Sequence, residues 1–478
     1  MLFNSFEFLI FFVVVFGVYW ALPRLQLRNL LLLAASYYFY MSWNAKLAAV
    51  VASSSLVDYF LALGIERHKR TGRSSGGQFL WASILMNLGL LFYFKYANFF
   101  LQSLGDLLAA LGAHRTMPVL EIVLPIGISF YTFEAISYMV DVHRGRTAAE
   151  RNPLYFLLFI TFFPRMIAGP IIRAKNFLPQ LRREKRFSWA RFDLGLQYVL
   201  VGFFKKLAIA DRMAYLVDPV YKSPDKYNTG AIWIAVVAYS LQVYCDFSGY
   251  SDIAIGTAHM LGFKLPQNFN MPYAARNITE FWRRWHISLS TWLRDYVFIS
   301  LGGSKGTRLR TCATLMLTMA LCGLWHGARW NFVVFGVLQG CMMLTHRFFH
   351  EYCQQTERLK NFLESGAGIG LRVLFTYWTF IVSLVVFRSQ NFANASMVFH
   401  SMFLNTKGIM VRNPIGPWSL VASFLIVFIA HATMIGGLQK KILPALATPF
   451  AGLGYSITFA ATFLMKPQLQ KAFIYFQF

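Results

Sequence analysis

Apolar runs of about 17 to 25 residues recur along this chain, and a run of that length is what a helix needs to cross roughly 30 Å of hydrocarbon. They fall near residues 5–21, 27–43, 46–64, 79–101, 119–140, 154–172, 194–210, 229–245, 247–263, 311–326, 330–349, 370–388, 417–436 and 448–465. The total is on the order of 11 to 14, some of them re-entrant. At 478 residues the chain is long enough for two or three soluble domains, but 57% hydrophobic residues against 14% charged, with a mean hydropathy of +0.48, exclude that class. The expected fold is an all-α polytopic integral membrane protein, a single domain over residues 1–478.

The net charge of +25 would suit a nucleic-acid binder, yet its distribution points to lipid headgroups instead. Basic residues gather in short loops: Arg67 to Arg73, His143 to Arg151, and Arg173 to Arg191. The positive-inside rule assigns such loops to the cytoplasm. Counting spans back from the first puts the N-terminus outside. The second and third loops share a side only if 154–172 enters and returns, which Pro164 and Gly169-Pro170 allow. No Lys or Arg precedes Arg24, so Met1 to Trp20 is expected to stay as a span rather than act as a cleaved leader. The charge of Lys440-Lys441 places the C-terminus near the external face. Five cysteines without a CxxC pair define neither a disulfide framework nor a zinc site, and no metal is expected.

Chemistry is legible where polar groups interrupt this apolar background. In Leu321-Cys322-Gly323-Leu324-Trp325-His326-Gly327, one imidazole sits inside the run from Thr311 to Gly340, where an ionisable group is costly and usually marks a site. Gly323 and Gly327 would let another helix, or a thin substrate, approach it. Leu124 to Phe133 and Phe162 to Pro170 combine Pro with Gly and predict broken helices. Asp246 and Asp252, between apolar spans, are expected to pair with arginines.

The densest polar stretch runs from Asn277 to Tyr296. On one helix, Phe281, Trp285, Ser288, Leu289, Trp292 and Tyr296 would share a face, opposite Arg283, His286, Ser290 and Arg294. That cationic face suits a phosphate-bearing cofactor, bound by Arg283, Arg294, Ser290 and Asn277. Each charge costs about 2.5 to 3.5 kcal/mol at mid-bilayer, so this helix must lie at the interface or re-enter a polar cavity. The chain closes on Phe473-Ile474-Tyr475-Phe476-Gln477-Phe478, where Tyr475 is either an interface anchor or a phenol placed for chemistry. From residues alone, an acyl-transfer enzyme and a proton-coupled transporter with His326 and His286 as relays are equally open, and a structural scaffold is a third reading.

The run Phe281-Trp282-Arg283-Arg284-Trp285-His286-Ile287-Ser288-Leu289-Ser290-Thr291-Trp292-Leu293-Arg294-Asp295-Tyr296, together with Gly323-Leu324-Trp325-His326-Gly327, resembles the membrane-bound O-acyltransferase family. Leu124 to Phe133, Phe163 to Gly169, Tyr244 to Asp252 and the closing hexapeptide are similar to its bacterial alginate O-acetyltransferase branch. The resemblance implies helices around a central cavity or tunnel, with His326 as the family's essential histidine and His286 at its second motif position. It further implies acetyl-CoA as acyl donor, with no permanently bound cofactor. Periplasmic or membrane-anchored partner acetyltransferases would serve a polysaccharide acceptor at the bacterial inner membrane. The terminal aromatic run also resembles a small peptide of teichoic-acid D-alanylation in which a Tyr is proposed to carry the acyl group, the role this implies for Tyr475. His326 is then expected to deprotonate the acceptor hydroxyl, Tyr475 being one candidate, and His286 or a nearby donor to steady the oxyanion.

Overall fold

A computed structural model describes the chain except residues 2, 4, 73–75, 114, 168, 413–415, 417, 436–447, 466–472 and 474–478. Among the described residues the chain is helical, with no strand beyond an isolated bridge between Tyr227 and Ile409. Five helices are long and apolar enough to cross a membrane by length and composition: Ala45–Arg70, Gly77–Ala110, Thr229–Met260, Trp330–Gln354 and Gly366–Arg388. The chain forms two compact units, residues 1–199 with 253–266, and residues 200–252 with 267–478.

The first unit opens with α1 (Phe6–Ala21), α2 (Leu25–Met41) and α3 (Ala45–Arg70). Side-chain oxygens start two of these helices: Ser5 accepts from the Phe8 amide and Asn44 from that of Leu47. After α4 (Gly77–Leu91) and α5 (Ala97–Ala110), the run expected at 119–140 is helical only from α6 (Ile128–His143) onward. Gly127, with φ of +73°, makes the entry turn, and a Cβ there would lie 2.5 Å from the Met166 carbonyl oxygen. The run at 154–172 supplies only the nine residues of α7 (Pro153–Thr161) before the chain turns. Nine residues span about 13 Å, too short to cross about 30 Å of hydrocarbon. Arg165 in that turn is buried in an ion pair with Glu134 of α6. A short α8 (Ala174–Leu181) follows, and α9 (Trp189–Phe203) leads out of this unit.

In the second unit, α9 continues as a π-helical turn, Phe204–Ala210, into α10 (Asp211–Lys222). Two spans were expected near 229–245 and 247–263; instead one 32-residue helix, α11 (Thr229–Met260), runs through Asp246 without a break. The carboxylate need not sit at an interface because Lys206 neutralises it inside the unit. The single helix expected over 277–296 is likewise corrected, to α12 (Ile278–Arg284) and α13 (Ile287–Trp292) with a sharp turn between them. Then come α14 (Arg308–His326) and α15 (Trp330–Gln354), an antiparallel pair. Gly323 and Gly336 face each other: a Cβ on Gly323 would lie 2.1 Å from the Phe332 carbonyl oxygen. The close approach expected beside His326 is therefore made by α15 itself. The unit ends with α16 (Glu357–Glu364), α17 (Gly366–Arg388), α18 (Phe392–Phe403), α19 (Trp418–Ile435) and α20 (Thr448–Leu464).

Candidate active site

The site is built around the turn that divides α12 from α13. Asn277 starts α12, its Oδ1 accepting from the Glu280 amide at 2.8 Å. The helix stops when His286 adopts a left-handed conformation, φ 42°. Two backbone hydrogen bonds from the 268–270 segment hold the turn: Ile287 N–H donates to the Asn268 carbonyl and Asn270 N–H to the Arg284 carbonyl, both at 2.9 Å. Among the described residues only Met271 and His286 show positive φ without being glycine. Such a backbone costs about 1–3 kcal/mol and persists only where its surroundings fix it.

The turn drives His286 inward. Its ring is fully buried, edge-on to Phe247 at 4.6 Å between centroids and to Trp325 at 5.6 Å. Trp325 in turn meets His326 at 5.1 Å, and Phe387 meets His326 at 5.3 Å. One indole thus lies against both imidazoles. The region 267–303 lies outside the five long apolar helices. Burial, and after it the nearby His326, hold the His286 imidazole well below its ordinary pKa, so it is neutral near pH 7.

Hydrogen bonding also fixes which His286 nitrogen carries the proton. Nδ1 lies 3.1 Å from Asn268 Oδ1. That same oxygen receives the Ser288 backbone N–H at 3.3 Å and the Ser288 hydroxyl at 3.0 Å, while Asn268 Nδ2 donates to Ser251 Oγ at 3.2 Å. A backbone N–H can only donate, so Oδ1 is an acceptor and Nδ1 bears the hydrogen. The lone pair of the neutral ring is then on Nε2. A histidine whose far nitrogen is oriented by a carboxamide oxygen is arranged to accept a proton.

The second polar cluster is held by lysines, correcting the expectation of arginines. Lys206 bridges Asp246 at 2.6 Å and Asp211 at 2.8 Å, and Lys205 pairs with Asp252 at 2.6 Å. The reason lies in helix packing: Gly202 and Gly249 bring the two backbones so close that a Cβ on Gly249 would lie 2.7 Å from the Gly202 carbonyl oxygen. The adjacent π-helical turn then puts two consecutive lysines against α11.

The structure separates the residues expected to share a cationic face. His286 is buried, whereas Arg283 and Arg294 are exposed, Arg294 beside Asp295 at 2.9 Å. Ser290 donates to the Trp285 carbonyl at 3.1 Å, closing the turn, and Asn277 caps α12. Tyr475 lies outside the described residues. Phe473, two positions earlier, is fully buried against Tyr250 at 4.5 Å and Phe247 at 5.6 Å, and Phe247 is the ring that meets His286. Sequence reasoning missed Asn268, Lys205 and Lys206; the two lysines inside the 194–210 apolar run were the one available signal. Among the described residues, no group of three His, Cys, Asp or Glu could hold a metal ion.

In this helical membrane protein two buried imidazoles thus lie against one indole, and hydrogen bonding fixes the tautomer of one of them. The chain matches the model of the membrane-bound O-acyltransferase family over residues 77–390, which include both histidines and Asn268. It is 41% identical to the probable alginate O-acetylase AlgI of Azotobacter vinelandii, over 84% of this chain and 78% of that protein. The probable alginate O-acetylase AlgI of Pseudomonas aeruginosa is 40% identical over 84% of this chain and 75% of its own length. The peptidoglycan O-acetyltransferase of Helicobacter pylori is 33% identical, over 78% and 73% respectively. The chain belongs to the membrane-bound O-acyltransferase family: it is a multi-pass membrane protein and an acyltransferase, and it uses an acyl donor.

Proposed function

We propose that this protein moves acetyl groups from a cytoplasmic donor, acetyl-CoA, across a bacterial inner membrane for O-acetylation of an extracytoplasmic polysaccharide such as alginate. The names of the relatives support the reaction class and the acceptor class. Partner acetyltransferases, periplasmic or membrane-anchored, would complete transfer to the polymer. The observation that carries the reading is the joint burial of His286, Trp325 and His326 with Asn268 orienting the first.

In this account the acceptor hydroxyl attacks the thioester carbonyl as His326 takes its proton. The C–O bond forms, the C–S bond breaks, and the departing thiolate recovers a proton from the imidazolium. His286 takes a different part from the oxyanion donor expected of it. Donation from Nε2 would need the imidazolium, which burial and His326 both oppose. Its neutral form offers a second proton acceptor beside His326, able to share the charge that develops there. Tyr475 remains the proposed first acceptor, supported by the burial of Phe473 beside the ring that touches His286.

The test is thiol release from acetyl-CoA by purified protein in detergent, with no proton gradient. Wild type should release coenzyme A, His326→Ala should not, and both should insert and purify alike. Dependence on a gradient without thiol release would support transport instead. Incubation with labelled acetyl-CoA should leave label on the C-terminal peptide, and full activity of Tyr475→Phe would remove the relay.

A further inference from the structure

A cavity of about 840 Å3 lies between the second half of α15, α16 and the first half of α17, well within the ~300–1,000 Å3 usual for ligand sites. Its lining is divided by chemistry. Leu338, Met342 and Phe375 form an apolar wall, and Arg276, Lys360 and Arg372 a cationic rim, with Glu364 the one carboxylate lining it. None of the three cations is in an ion pair among the described residues; Arg372 donates only to the Leu363 carbonyl, at 3.3 Å. His346 and His350 add two imidazoles to the rim, stacked 6.1 Å apart, with His346 Nδ1 against Thr279 Oγ1 at 3.2 Å.

Position and reach narrow the ligand. α15 and α17 are both long and apolar enough to cross a membrane, and the charged rim sits where their ends meet α16. From His350 to Leu338 the wall follows twelve residues of helix, about 18 Å at 1.5 Å each, against about 15 Å for the hydrocarbon of one leaflet. The mouth is rimmed by exposed Phe349, Leu371 and Phe375, the last 65% exposed. Phosphate chemistry fits the cations. A soluble nucleotide, however, would leave the apolar wall and mouth uncovered, whereas a lipid covers both.

We propose that this cavity seats one anionic phospholipid of the surrounding bilayer. Its phosphate lies among Arg276, Lys360 and Arg372, and an acyl chain runs along Leu338, Met342 and Phe375 toward the membrane centre. The site is separate from the histidines and does not depend on the acetyl-transfer reading.

Native mass spectrometry of the full chain in mild detergent tests it, with phosphatidylglycerol, phosphatidylcholine and coenzyme A as probes. Wild type should retain one phosphatidylglycerol at least tenfold better than phosphatidylcholine. Arg276→Gln combined with Arg372→Gln should lower that retention at least tenfold, and so should Met342→Trp, which fills the wall without altering charge. If the double variant does not fold, Met342→Trp decides. Equal retention of both lipids, or retention unchanged in the variants, overturns the proposal. Displacement of the lipid by coenzyme A in wild type would also overturn it, assigning the cations to a soluble phosphate.

Discussion

Replacing Asn268 with Ala removes a single acceptor that serves three donors. Asn268 Oδ1 receives His286 Nδ1–H, the Ser288 amide and the Ser288 hydroxyl at 3.0 to 3.3 Å, all buried. Losing the partner of one buried donor costs about 1–3 kcal/mol. If that cost falls on the active tautomer of His286, it converts at about 1.4 kcal/mol per decade to a loss of roughly 5- to 150-fold in kcat. Asn268→Asp keeps an oxygen acceptor for Nδ1–H and adds a negative charge, so it should retain more activity than Asn268→Ala. It should also raise the pH below which His286 protonates, moving the acid limb of the pH–rate profile upward. Thiol release from acetyl-CoA across a pH series, beside thermal unfolding in detergent, reads both effects. A purely structural Asn268 would lower the unfolding temperature in both variants and leave the acid limb in place. Activity of Asn268→Ala within twofold of wild type, at unchanged stability, would rule out an orienting role for Asn268.

Two further substitutions test the frame that holds the site. Lys206→Met leaves Asp246 and Asp211 buried without their shared cation, which should destabilise by about 3–5 kcal/mol; adding Asp246→Asn should restore part of the lost unfolding temperature. Gly323→Ala puts a methyl 2.1 Å from the Phe332 carbonyl oxygen and 3.0 Å from Gly336 Cα, so α14 and α15 must part, at a cost of about 1–3 kcal/mol or more. Gly17→Ala, with nothing within 4 Å of the new Cβ, is the matched control and should unfold like wild type.

The helices were legible because a membrane demands long apolar runs, and α3, α15 and α17 fall where those runs do. His286 and His326 were legible for the opposite reason, since an imidazole stands out against such a background. What the sequence hid depends on partners distant along the chain. α11 looks like two spans divided at Asp246 until Lys206 is seen to neutralise it. The amphipathic pattern over 277–296 describes one good helix. Its break at His286 is imposed by backbone hydrogen bonds from residues 268 and 270, which no local periodicity encodes. Asn268 itself is an amide in a loop, and only the folded chain brings three donors to its oxygen.

In the proposed reaction His286 and His326 handle one proton as a unit during acyl transfer. A double-mutant cycle on kcat/KM for thiol release, with His286→Ala, His326→Ala and the combination, measures that coupling. Residues acting as a unit predict that the double variant is no slower than the worse single one. Losses that multiply, or a His326→Ala enzyme that still releases coenzyme A at the wild-type rate, would contradict it.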